Sequence, residues 1–164
     1  MDWPAIAVAA GTWVGVCVTV GMVKKQLRVE LYLKLVERFD GGSTVSARKK
    51  LALQLLNNTQ HEEIQEEVMN LFEDMGMLLR RRYLDCEMVR DTFGYYGRRW
   101  WTACKDYVAE ERSRRGDPTL FTDFEELARR ISRRESKELR STEPQPSEIK
   151  AFLEDETRLT QRNP

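Results

Sequence analysis

Few residues in this chain have the types and spacing that chemistry requires. His61-Glu62-Glu63 opens like a zinc-protease helix, in which two histidines four residues apart hold the metal and a glutamate activates water. Gln65 stands where the second histidine is needed, and His61 is the only histidine. One histidine also cannot supply the two Glu-x-x-His pairs of a carboxylate-bridged di-iron bundle. Glu62, Glu63, Glu66 and Glu67 then read as the solvated, acidic start of a helix. Cys17 falls in the apolar N-terminal run, and Cys86 and Cys104 form no C-x-x-C pair and read as small buried apolar residues in a reducing compartment. No Gly-rich phosphate loop, G-x-S-x-G elbow or Ser/His/Asp set is present. Carboxylates can act as acids or bases without any signature, but nothing here demands it. The expectation is a protein that is not an enzyme, with no metal and no cofactor.

The densest cluster is Phe93-Gly-Tyr-Tyr-Gly-Arg-Arg-Trp-Trp101. Interleaved aromatics and arginines can stack nucleobases. Residues 80–140 nevertheless hold 16 basic against 12 acidic side chains, and the whole chain balances 27 against 27. That charge gives no general attraction to a phosphate backbone, so nucleic acid is not expected as a partner. Phe93, Tyr96 and Trp100 fit a buried helical stripe, and Gly94 and Gly97 permit close helix approach. Tyr96, Arg99, Trp100 and Trp101 remain candidates for contact with a partner or with a small anionic or aromatic ligand.

The elements that position these residues divide sharply by composition. Residues 1–23 carry one charge, Asp2, whereas the following 141 residues carry 53. Trp3 through Val23 holds no ionisable side chain except Cys17, and at about 1.5 Å per residue it reaches roughly 30 Å, a bilayer's hydrocarbon thickness. It is apolar all round rather than striped, as a membrane span is. A cleavable signal peptide fits less well, since the chain starts Met-Asp and the run ends in Val23-Lys24-Lys25. Lys24, Lys25 and Arg28 follow the run, which places that side in the cytoplasm and the short N-terminus outside. Ala7, Gly11 and Gly15 lie four apart, a spacing that lets two spanning helices approach closely.

The apolar run continues without Gly or Pro into a stalk over residues 24–40, with Glu30→Lys34 a favourable i,i+4 pair. Leu27, Leu31, Tyr32, Leu35, Val36 and Phe39 form its apolar face, and Leu31, Leu35 and Phe39 are the candidate partner-binding residues. Asp40-Gly41-Gly42-Ser43-Thr44 reads as the first break. Helices are expected over about 45–57, 62–81, 86–115 and 123–139. Asp85 is the expected N-cap of the fourth helix, and Gly116-Asp117-Pro118 its stop. Thr122-Asp-Phe-Glu125 has the pattern of a capping box. Residues 141–147 read as a linker, with Ser147 capping a last short helix to Leu159. No strand pattern or internal repeat appears.

Leu71-Phe-Glu-Asp-Met-Gly-Met-Leu-Leu-Arg80, followed by Asp85-Cys-Glu87, Phe93 and the aromatics of Tyr96–Trp101, resembles the signature of an uncharacterised family of small bacterial single-pass membrane proteins with a cytoplasmic helical domain. The resemblance covers about residues 24–135. It departs at the turn after Arg80, where the family's usual glycine is replaced by Arg82 or Tyr83. It implies architecture and location and carries no activity. The expected whole is an all-α protein: a transmembrane anchor over 1–23, a helical stalk over 24–40, a small cytoplasmic bundle over 43–140 and a loosely attached tail over 141–164. It is expected in the inner (plasma) membrane as a tethered interaction module, with the bilayer and either a protein partner or a second copy as its contacts. The alternative is a membrane-anchored sensor domain for a small ligand.

Overall fold

A computed structural model describes the backbone of residues 3–57, 66–139 and 143–159, with side chains described for residue 19 and for 21–57, 66–134 and 143–159. Six helices and no strand are present among the described residues: α1 (Trp3–Asp40), α2 (Gly42–Leu56), α3 (Glu67–Arg80), α4 (Cys86–Arg115), α5 (Thr122–Leu139) and α6 (Pro146–Thr157). The all-α expectation holds. No helix among the described residues is long and apolar enough to cross a membrane. Most of the apolar run at 3–23, with Ala7, Gly11, Gly15 and Cys17, falls on residues whose side chains lie outside the described ones. His61, Glu62 and Glu63 also lie outside them.

The amphipathic stripes become the core. Val68, Leu71, Phe72, Met75 and Leu79 of α3 are buried, and so are Phe124, Leu127 and Ile131 of α5, against which α3 packs. Phe72 and Phe124 stack across that interface at 5.0 Å between centroids. Gly76 permits the approach, because a Cβ there would stand 2.1 Å from the backbone oxygen of Asp123. Gly97 of α4 plays a milder part, its space bounded by Phe72 and Ile131 side chains at about 3.5 Å.

Helix ends differ from expectation in instructive ways. The break after α1 is one residue, Gly41, in an extended conformation, so α2 starts at Gly42 rather than Val45. Thr122 does not cap α5. The Glu73 carboxylate of α3 accepts the amides of Phe124 at 2.7 Å and Asp123 at 3.3 Å. The acceptor comes from a helix fifty residues away in sequence, which a local motif cannot reveal. Burial raises the Glu73 carboxyl above its ordinary range, with those two amides pulling the other way. Arg80 clamps the same corner through two bonds to Asp123 at 2.7 and 2.9 Å. The last helix is capped by Gln145 and Glu148, with Pro146 at its first turn, and not by Ser147. Asp85 caps α4 as expected, accepting the Glu87 amide at 2.7 Å.

Two helices end in the same left-handed turn with different residues. At the end of α4, Gly116 has φ 63°, and the amides of Asp117 and Gly116 reach back to Arg112 and Ser113. At the end of α3, Arg82 has φ 61°, and the amides of Tyr83 and Arg82 reach back to Leu78 and Leu79. Arg82 is one of the two positions at which the resemblance leads one to expect glycine. An arginine there holds its Cβ against the carbonyl, a conformation costing about 1–2 kcal/mol for a residue other than glycine.

The two positions give opposite expectations for familiar substitutions. Arg82→Gly should raise stability by about 1 kcal/mol. Gly76→Ala, ordinarily worth about 1 kcal/mol of gain inside a helix, should instead cost about 3 kcal/mol through overpacking. Urea denaturation midpoints of the two variants check both signs.

Candidate interaction surface

The stalk residues separate onto two faces. At about 100° per residue, Lys24, Arg28, Leu31 and Leu35 form one line along α1, and Met22, Gln26, Val29 and Leu33 form another about half a turn away. The first line meets the body. Leu35 and Phe39 are buried, and Leu31, Tyr32 and Val36 are partly buried against the same core. Tyr32 hydrogen-bonds Thr92 at 2.5 Å, and Arg38 donates to Asp74 at 2.7 Å. The expectation that Leu31, Leu35 and Phe39 form a partner-binding face is therefore corrected: this chain's own helices cover that face. The second line is bare, with Met22 63%, Val29 43% and Leu33 58% exposed. Residues 21–30 are exposed on every side.

Phe39 is the junction of the body. Its ring meets Phe72 at 6.2 Å, Phe93 at 5.4 Å and Tyr96 at 4.8 Å. The Arg48 guanidinium lies 4.2 Å over the same ring and 5.0 Å from that of Tyr96. Arg48 is itself buried and binds Glu156 of α6 in fork geometry, Nε to Oε2 at 2.7 Å and Nη2 to Oε1 at 2.6 Å. Sequence reasoning missed this pair, because its partners lie 108 residues apart. Ile149, Phe152 and Leu153 are buried beside it. Residues 146–157 thus belong to the core rather than to a loosely attached tail.

The four aromatic and basic candidates of α4 do not converge. Trp100 is fully buried, edge-on to Phe152 at 5.2 Å. Tyr96 sits on the same side, between Phe39 and Phe152. Trp101 points toward α5 and meets Phe124 at 5.2 Å. Arg99 lies 3.7 Å over the ring of Tyr95, which is half exposed, and donates to the Tyr95 carbonyl. Consecutive helical positions fan out by about 100°, so these side chains serve different neighbours. Trp101 also borders an open groove of ≈ 830 Å³ with Arg98, Arg129 and Arg133.

No other chemistry gathers among the described residues. No group of three or more His, Cys, Asp or Glu is placed to hold a metal. Cys104 is buried and its thiol is pushed up to about 12 by burial, so it is no nucleophile at neutral pH. Tyr107 is likewise pushed up to about 12, by burial first and then by Glu66 and Glu111. It donates to Glu66, which also accepts from Arg115, tying the start of α3 to the end of α4.

Fold and surface define, among the described residues, an all-α protein whose helical body holds the C-terminal end of a long helix and leaves residues 21–30 of that helix exposed. Residues 19–131 match the model of a domain of unknown function, DUF4760, and the chain belongs to that family. The match takes in the projecting part of α1 from Thr19, as well as Arg48, and ends before α6 and Glu156. No curated protein and no solved structure is similar to the chain.

The buried Arg48–Glu156 pair makes α6 the test of this arrangement. Removing one partner leaves an uncompensated buried charge, so Glu156→Ala should lower stability by about 3–5 kcal/mol. Replacing both with apolar side chains, Arg48→Met with Glu156→Leu, should recover most of that loss. A Glu156→Ala variant that unfolds at the wild-type urea concentration would show that the Arg48–Glu156 pair does not hold α6 in place.

Proposed function

We propose that the chain is a non-enzymatic, membrane-tethered interaction module, with residues 3–23 as a single-pass anchor and the helical body on the cytoplasmic side of the plasma (inner) membrane. One observation carries the reading: α1 runs unbroken for 38 residues, with its last turns locked into the body and residues 21–30 exposed all round. A helix of that length, about 57 Å, is longer than every helix of the body, of which α4 is the longest at 30 residues. It can bridge a bilayer and a docked domain. The apolar sequence at 3–23 and the basic residues Lys24, Lys25 and Arg28 that follow it support the direction of insertion. An anchor holds the body at a fixed surface, which raises its effective concentration toward anything else held there.

A second reading has one supporting observation. The groove beside Trp101 collects Arg98, Arg129 and Arg133, a charge pattern suited to a small anionic ligand with a ring. Glu125 and Glu143 border the same groove and offset that charge, which ranks this reading second.

Alkaline carbonate extraction of membranes from cells expressing the full chain tests the first reading. The protein should stay in the membrane pellet. A variant with Val14 and Val18 changed to Arg should move to the supernatant, because two arginines at mid-span oppose insertion by about 5 kcal/mol or more. Release of the wild-type chain under the same treatment would remove the anchor.

A further inference from the structure

We propose that the bare face of α1 is a parallel coiled-coil seam for a second copy of this chain, running from Thr19 to Leu33. The proposal takes its orientation from the tethered reading, since two copies inserted alike must lie side by side with the same polarity.

The spacing is heptad. Thr19, Gln26 and Leu33 fall at a positions and Met22 and Val29 at d, alternating steps of three and four residues. All five are exposed, on a face about a third of a turn round α1 from Tyr32 and Phe39. The seam stops where it should: the next d residue, Val36, already packs against the chain's own core. The sequence carries the period upstream as well, with Gly15 seven residues before Met22.

Charge identifies the occupant. In this register Lys25 is a g residue and Glu30 the following e residue. In a parallel pair the g side chain of one helix meets the e side chain five residues on in its partner. Lys25 of each copy therefore faces Glu30 of the other, twice per dimer and with opposite signs. Both flank the apolar groove that Met22, Gln26, Val29 and Leu33 line. Within one helix, residues five apart point about 140° away from each other, so this complementarity serves no purpose inside a single chain. Glu30 also accepts from Lys34 at 2.8 Å in its own helix, and a network over both copies keeps that bond. Gln26 supplies the polar a position that fixes register at some expense of strength.

Lipid does not account for the face. Leu33 lies five residues past Arg28, about 7 Å beyond the end of the basic band, on the water side of the headgroups. A seam of four turns is weak for free helices, and a shared membrane supplies the concentration it lacks.

Cysteine cross-linking in native membranes tests the seam on the full chain, with Cys17 and Cys86 changed to Ser. Cys104 can remain, since it is buried and protonated. Under mild oxidation Leu33→Cys should yield a disulfide-linked dimer. Lys24→Cys, exposed on the line of α1 that borders Arg81, Arg82 and Tyr83, should yield about tenfold less, since thiols pointing apart cannot meet disulfide geometry. Lys25→Glu should weaken association about fivefold to tenfold, and Lys25→Glu with Glu30→Lys should restore it. Equal yields at positions 24 and 33, absence of rescue by the double reversal, or a Leu33→Cys adduct with a protein of different mass would each overturn the seam. Carbonate extraction of the same samples separates the two readings. A monomer retained in the membrane sinks the seam alone, whereas a cross-linked dimer released by carbonate sinks the anchor alone.

Discussion

At Phe39 four helices meet. One ring from α1 contacts Phe72 of α3, and Phe93 and Tyr96 of α4, with the Arg48 guanidinium of α2 over its face. Burying a phenylalanine contributes about 2–3 kcal/mol by area, with further gain from edge-to-face ring contacts. The larger consequence is geometric. Phe39 fixes the rotation of α1 about its own axis, and Tyr32 and Arg38 fix its tilt through Thr92 and Asp74. Once that rotation is set, every residue upstream has an assigned side. Leu31 and Leu35 face the body, and Met22, Val29 and Leu33 face away. The exposed face is thus a consequence of the core.

The Arg48 guanidinium extends the same logic to the C-terminal helix. A buried arginine needs a carboxylate, and α2, on which it sits, offers none beside it. Glu156 supplies one, at the cost of bringing α6 and its apolar residues Ile149, Phe152 and Leu153 onto α2. Such pairs add little net stability over an apolar substitute, because both charges lose their water. They do specify which helix docks and in which register. A purely apolar α6 could slide along the α2–α4 surface by a turn, whereas one that must deliver a carboxylate to Arg48 cannot.

Helix positions and the buried stripes were legible in the sequence because period and punctuation are local. Val68 through Leu79 announced the face of α3, and Gly116 announced the stop of α4. Contacts between distant segments were not legible. Glu73 capping α5, Arg48 meeting Glu156, and the stalk face folding onto its own domain each join residues that no window of sequence shows together. The aromatic cluster of α4 misled for a different reason. Adjacency in sequence suggested one site, but a helix distributes adjacent side chains around its axis, and Trp100 and Trp101 end in different interfaces. The glycine missing after Arg80 was visible as an anomaly. The structure explains it: Arg82 keeps the left-handed turn that glycine would adopt without strain.

A helix with two differently used faces also constrains how this chain can vary. The face toward the body must retain volume and shape, since Leu35 and Phe39 are packed on all sides. The outward face has no such demand from folding. Apolar residues there gain nothing in the folded monomer and add a hazard of unspecific association. Exposed Met22, Val29 and Leu33 are therefore not explained by the fold that positions them. The proposed second helix would account for their heptad spacing, for the Lys25 and Glu30 that flank them, and for the end of the stripe where α1 enters the body. The core fixes the direction of α1, and the outward face has the composition of a surface built for contact.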